Sequence, residues 1–165
     1  KWYVKLQANY FRIFDYIIGK PQAHLSAMTI GANGIKVYEQ LPYASLFNIN
    51  TTATYHIISG LDINAKAIYR LGWADTLNLP QIQPFSYGLN VKYTKKSFNA
   101  EIGMDGALQQ TKFSKSFGET PAPAYVLFSI SGSKQFQFSK HTLITKVGIE
   151  NIFDKLIAYP VLSNI

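Results

Sequence analysis

The chain has 165 residues, enough to bury a core, yet only 15% of them are charged while 15% are aromatic, with 11 Tyr and 11 Phe. Its net charge of +7 is spread over 16 scattered Lys and Arg with no run longer than Lys95-Lys96, whereas a nucleic-acid footprint would cluster on one face. Cysteine is absent, which excludes disulfides, a thiolate nucleophile and a thiolate metal site, and no apolar run approaches the roughly 20 residues of a membrane-spanning helix.

Period-two alternation dominates from the first residues, with no signal peptide ahead of Lys1-Trp2-Tyr3, so the chain reads as a mature protein or an internal fragment. Trp2, Val4, Leu6, Ala8 and Tyr10 alternate with Lys5, Gln7 and Asn9. A long loop is expected over Ile18–Gly34. Phe47, Ile49, Ala53 and Tyr55 then alternate with Asn48, Asn50, Thr52 and Thr54, and a short turn follows near His56–Gly60. Leu61, Ile63, Ala65, Ala67, Tyr69 and Leu71 alternate with Asp62, Asn64, Lys66 and Arg70, leading to a second long loop over Trp73–Pro84. Phe85, Tyr87, Leu89, Val91 and Tyr93 oppose Ser86, Gly88, Asn90 and Lys92, with a short turn at Thr94–Ser97. Phe98, Ala100, Ile102 and Met104 oppose Asn99, Glu101, Gly103 and Asp105, and a third long loop spans Gln109–Pro123. Val126, Phe128 and Ile130 oppose Ser129, Ser131 and Ser133 before a short turn at Gln135–Lys140. Leu143, Val147 and Ile149 oppose Lys146, Gly148 and Glu150.

Since a strand sends successive side chains to opposite sides, each of these seven segments has one apolar and one polar wall, and no helix is expected. A soluble β-sandwich also alternates. However, the polar walls are rich in charge and amide, too polar for a small dry barrel, and the apolar walls persist across every strand. Apolar outside and polar inside, with short turns at one end and long loops at the other, is the pattern of an outer-membrane barrel. Aromatics near strand ends (Trp2, Tyr55, Tyr93, Phe98, Tyr125) suit interfacial girdles. The expected fold is therefore all-β: an antiparallel up-and-down transmembrane β-barrel, with about seven strands present. Single-chain bacterial barrels have an even strand number, so the piece reads as incomplete.

Three motifs carry a resemblance. Gly148-Ile149-Glu150-Asn151-Ile152-Phe153-Asp154-Lys155 resembles the penultimate-strand signature of TonB-dependent outer-membrane receptors, with Gly148, Glu150, Asn151, Phe153 and Asp154 as its matching positions. Leu79-Pro80-Gln81-Ile82-Gln83-Pro84 resembles that family's lead into a descending strand, and Phe117-Gly118-Glu119-Thr120-Pro121-Ala122-Pro123-Ala124-Tyr125 its lead into the strand before the signature. The pattern departs at Ile157, where the family places Tyr, and at Ile165, where a closing strand with a terminal aromatic residue is expected. Continuing the alternation from Leu143 would also put Asn151 on the lipid side, so either Asn151 lies above the apolar band or the strand carries a bulge.

The resemblance covers residues 1–165 and implies the C-terminal portion of a plugged barrel of roughly 22 strands, with plug and remaining strands outside this chain. It implies a Gram-negative outer-membrane receptor that binds a scarce nutrient, a siderophore or other metal chelate, and imports it with energy from the TonB–ExbB–ExbD complex acting on the plug. Membrane lipids and a surface lipoprotein are the further partners to consider, and any metal such as iron would arrive with the ligand. The alternatives are a passive porin or structural barrel, an outer-membrane enzyme barrel, and a soluble β-sandwich binding module.

The candidate site residues follow from the walls. Lys66, Arg70, Asn90, Glu101, Asp105, Lys146 and Glu150 are expected to face the lumen, with Asp62 and Lys92 beside them. Paired carboxylates can perform acid–base catalysis, but a hydrated lumen laced with ion pairs accounts for these, and no enzymatic activity is expected. Ser129, Ser131 and Ser133 form a polar strand face, not a nucleophile elbow. Gly31-Ala32-Asn33-Gly34 lacks the strand–helix context of a phosphate cradle. Of the three His, His56 and His141 fall at expected turns, while His24 and Met28 share the first long loop, where they could touch a metal-bearing ligand or belong to an ordinary loop. No metal-ligand spacing occurs.

Overall fold

The computed structural model describes residues 1–22, 24–25, 35–74, 77–83, 85–117 and 119–157. Its strands are β1 (Trp2–Pro21), β2 (Lys36–Ile58), β3 (Leu61–Ala74), β4 (Leu77–Asn78), β5 (Ser86–Lys95), β6 (Phe98–Ala107), β7 (Tyr125–Phe138) and β8 (His141–Ile149). They form one antiparallel sheet in the order β1-β2-β3-β5-β6-β7-β8, each beside its neighbour in sequence, with the two-residue β4 folded back on the end of β3. This is the expected up-and-down meander of seven strands. Among the described residues the only helical feature is one 3-10 turn, Lys115–Phe117.

The register explains why the two walls stay separate. Paired residues on neighbouring strands share a wall, and one row crosses all seven strands as Trp2, Tyr55, Ile63, Val91, Ile102, Ile130 and Ile149. The next row over is Tyr3, Thr54, Asn64, Asn90, Gly103 and Ser129. A slip of one residue in any ladder would mix the two. On the apolar wall Ile102 is 59% exposed and Val147 71%; the burden of large apolar side chains without cover is far beyond the scattered exposure of a soluble monomer. The polar wall carries a depression of about 490 Å³ that reaches from Thr52 on β2 to Ser129 on β7, which makes it the concave side.

Three expected boundaries are corrected. The first long loop was expected to start at Ile18, but β1 continues to Pro21 and β2 begins at Lys36. Sequence alternation fails there because Tyr10, Phe11, Ile13 and Phe14 put apolar groups on both walls. At 20 and 23 residues these strands are about twice the roughly 9–11 a tilted strand needs to cross a bilayer. The second long loop was expected from Trp73, but β3 keeps Trp73 and Ala74 in the strand, where they pair with β4. The last turn shrinks from Gln135–Lys140 to Ser139–Lys140, since Gln135, Phe136, Gln137 and Phe138 all pair with β8.

The other short turns are also two residues long, Ser59–Gly60 and Lys96–Ser97. Gly60 has φ 83°, and a Cβ there would collide with the Thr94 carbonyl oxygen of the adjoining strand. Gly60→Ala should therefore destabilise the fold by at least about 1–2 kcal/mol through backbone strain alone. Denaturant titration of the refolded protein reads this directly, and an unchanged midpoint would mean that the turn relaxes freely.

The buried core lies at the long-loop end. Ile18, Ala44, Ala74, Leu79 and Phe117 form it, with Tyr16, Leu41, Leu46 and Ile82 packed around. Ala44, Leu46 and Ala74 share the parity of Asn48 and Arg70, so this cluster sits on the concave side. Simple alternation from Phe14 would put Tyr16 and Ile18 on the other wall. The phase changes at Asp15, whose φ of 52° inverts the pleat, opposite Pro42, which has no N–H to complete the ladder. Gln40 Nε2 donates to Asp15 Oδ1 at 2.8 Å and fixes the kink.

Candidate functional site

Five of the seven polar residues singled out from the sequence line the concave depression together: Lys66, Asn90, Glu101, Asp105 and Glu150. Lys66 Nζ lies 2.7 Å from Asp105 Oδ1, and Asn90 Nδ2 donates to Glu101 Oε1. Gly88 sits between Lys66 and Asp105 in the same row, and a Cβ there would press on both side chains, so its lack of one makes room for the pair. Both charges are 54% exposed, so the pair contributes little to stability. Lys146 joins Lys92 and Glu101 around a smaller neighbouring hollow of about 160 Å³. Nearer the short turns, His56 Nδ1 lies 2.5 Å from Asp62 Oδ1 within the strand ladder, not in a turn. Thr54 Oγ1 donates to Asn64 Oδ1 at 2.8 Å, and Thr94 Oγ1 to Asn99 Oδ1 at 2.8 Å. The wall is a network of amide, hydroxyl and charged groups.

Arg70 stands apart at the long-loop end, where its guanidinium donates to Gln83 Oε1. There the structure reveals a feature that the sequence did not signal. Segments 108–117 and 119–124 fold against the concave side, and Phe117 is buried among Ala44, Ala74 and Leu79. Behind it Glu119, only 4% exposed, accepts three hydrogen bonds: Gln81 N at 3.0 Å and Gln110 Nε2 at 3.2 Å on Oε1, and Ser114 N at 2.7 Å on Oε2. Buried Gln110 in turn donates to the Ile82 and Lys112 carbonyls at 3.2 and 3.4 Å and accepts from Ala122 N at 3.4 Å. Two loops distant in sequence are thus tied by one buried carboxylate and one buried amide. Glu119 is the single acidic residue of segment 106–149, and that isolation is the faint signal that marks it.

The signature residues sit at the same end. β8 stops at Ile149, so the alternation from Leu143 does not run on through the signature and Asn151 never takes a place on the apolar wall. Asn151 instead adopts φ 50° and closes a turn, its Oδ1 accepting from Lys155 N at 2.8 Å and its Nδ2 donating to the Lys155 carbonyl at 3.1 Å. Asp154 also lies in the left-handed region, at φ 47°. Phe153 packs edge-on against Phe128 with ring centroids 5.5 Å apart. At Gly148 a Cβ would meet the Ser131 Cβ at 3.0 Å. His24 lies exposed in the first long loop, and Met28 falls outside the described residues. Among the described residues no group of three or more His, Asp or Glu is placed to hold a metal ion.

No family model matches the sequence, and no curated protein matches it. Among solved structures, a chain described as "Copper transporter OprC" superposes with a TM-score of 0.80 at 16% identity, covering 96% of this chain and 24% of that one. The chain thus spans about a quarter of that protein's length. At this identity the likeness gives the fold, a continuous section of a large β-barrel.

Proposed function

We propose that this chain is the C-terminal section of the barrel of a TonB-dependent outer-membrane receptor, and that it binds and passes a scarce nutrient without catalysing a reaction. The observation that carries this reading is the unbroken apolar row from Trp2 to Ile149 on the convex side, over a concave wall of charged and amide groups. In hydrocarbon every backbone N–H and C=O needs a partner, which a closed sheet supplies, and apolar outside with polar inside suits lipid around a hydrated lumen. The three motifs that resemble the receptor family support the active-transport class. The solved neighbour is named as a copper transporter, and the cargo proposed here is a metal-bearing small molecule: a siderophore or other metal chelate. The lumen network around Lys66, Glu101 and Asp105 would then meet a plug from elsewhere in the protein, through which the TonB–ExbB–ExbD complex would act.

Uptake of radiolabelled iron and copper chelates by cells expressing the full-length protein, with and without functional TonB, tests this. Uptake should depend on both the receptor and TonB. Uptake that needs the receptor but not TonB would replace active import with a passive porin. Topology gives a separate check, because the long loops share one end and the two-residue turns the other. This stretch has no native Cys, so Lys115→Cys in intact cells should react with an impermeant maleimide while Lys95→Cys should not. The opposite labelling would invert the orientation.

A further inference from the structure

We infer that the cavity between the two tied loops is a preformed subsite for a small acid with an apolar or aromatic body. It deepens the receptor reading and rests on it for access from outside the cell. The cavity holds about 240 Å³ and lies where β3 loses its partner: pairing with β5 stops at Ile68–Ser86, while β4 takes over only at Trp73. Leu79, Ile82, Phe85 and Leu108 give it an apolar body. Among the described residues, Arg70 and Lys112 are the charged groups in its lining, and no carboxylate lines it. An apolar chamber with convergent polar groups is the common form of a small-molecule site, and its size suits one ring-sized portion of a ligand. Two cations in a lining whose described residues include no carboxylate favour a negative charge, which a guanidinium can bind in bidentate fashion.

The second observation is that this chamber is held rigid at a cost. Gln81, next to Ile82, has φ 61°, a conformation that side chains other than glycine rarely take. Its N–H is bound by buried Glu119, which also holds Ser114 on the opposite loop. Gln110, itself part of the lining, grips both the Ile82 and Lys112 carbonyls. The two loop walls are therefore fixed relative to each other before any ligand arrives. Strained backbone kept in place by a buried polar knot is typical of ligand clamps, and preorganisation raises affinity by removing the ordering cost of binding.

The test uses the full-length protein in detergent with three probes: benzoate, its neutral counterpart benzyl alcohol, and acetate, which has the charge without the ring. Saturation-transfer NMR and competition titration should show benzoate bound at least about fivefold more tightly than either of the others. Arg70→Gln with Lys112→Gln should weaken benzoate by about tenfold and leave benzyl alcohol unchanged, which also confirms that the cavity remains folded. Arg70→Lys, which keeps the charge but not the two-pronged donor, should fall between wild type and the double variant. Absence of benzoate binding, or equal binding by wild type and the double variant, overturns the subsite. TonB-dependent uptake that persists alongside such a result would leave the receptor reading standing and remove the subsite alone.

Discussion

Ile102→Arg is expected to cost the folded barrel about 2–4 kcal/mol, the penalty for a cation at the midplane of the lipid face of an outer-membrane barrel. Ile102 lies in the middle of β6, with Val91 on one side and Ile130 on the other, in the row that crosses every long strand. Its side chain is 59% exposed, so in a soluble protein the same substitution would be nearly neutral or helpful. The two accounts thus predict opposite behaviour for one change. Urea unfolding of the full-length protein in lipid vesicles measures it, with Ile102→Leu as the control expected to shift stability by less than about 1 kcal/mol. A neutral arginine would show that this wall does not face hydrocarbon. At Asn99 or Ser131 on the polar wall, arginine should be far better tolerated.

Glu119→Ala should have the other large effect, and it should be local. The variant takes the carboxylate acceptor from the Gln81 and Ser114 N–H groups and one of three acceptors from the Gln110 amide. Buried donors left unpaired cost about 1–3 kcal/mol each in the worst case, so about 2–4 kcal/mol of loop stability is at stake after partial rehydration. Gln81 would also lose the contact that supports its φ of 61°. Hydrogen exchange should speed up at the Ser114 and Gln81 amides by at least about tenfold, since each 1.4 kcal/mol of opening free energy is one decade. The amides of Val91 and Ile102 in the mid-sheet ladders should stay protected. Glu119→Gln keeps one acceptor oxygen and should fall between. If Ser114 exchanges at the wild-type rate in the alanine variant, the loops are held by Phe117 packing and not by the carboxylate.

Much of the fold could be read directly because period-two alternation survives wherever each wall is chemically uniform. From Leu61 to Leu71, from Phe85 to Tyr93 and from Phe98 to Met104 every second residue is apolar, and the register pairs those residues row by row. The reading failed where both walls turn apolar. Phe11, Ile13 and Leu46 have the parity of the polar wall, so apolar side chains stand on both walls there and the upper halves of β1 and β2 gave no alternation to follow. It also failed where one backbone conformation overrides the pattern. Glu150, Asn151, Ile152 and Phe153 could continue a strand on paper, yet Asn151 turns left-handed and closes a turn on Lys155. The polar residues Lys66, Asn90, Glu101, Asp105 and Glu150 gather on one wall because strand parity is a local property of sequence. The Glu119–Gln110 knot was invisible because it joins loops across 38 residues through contacts that no period encodes.

The membrane-spanning arrangement is tested most directly by nitroxide accessibility on the full-length protein in lipid vesicles. Spin labels at Val91, Ile102 and Ile130 on the apolar row, and at Asn90, Gly103 and Ser129 on the row beside it, sample the two walls at nearly the same depth. The first three should collide readily with oxygen, which concentrates in hydrocarbon, and hardly at all with a water-soluble nickel chelate. The second three should show the reverse or be shielded from both. Equal access of the nickel chelate to both rows, or hydrocarbon access at Asn90 and not at Val91, would contradict a barrel section with its apolar wall in lipid.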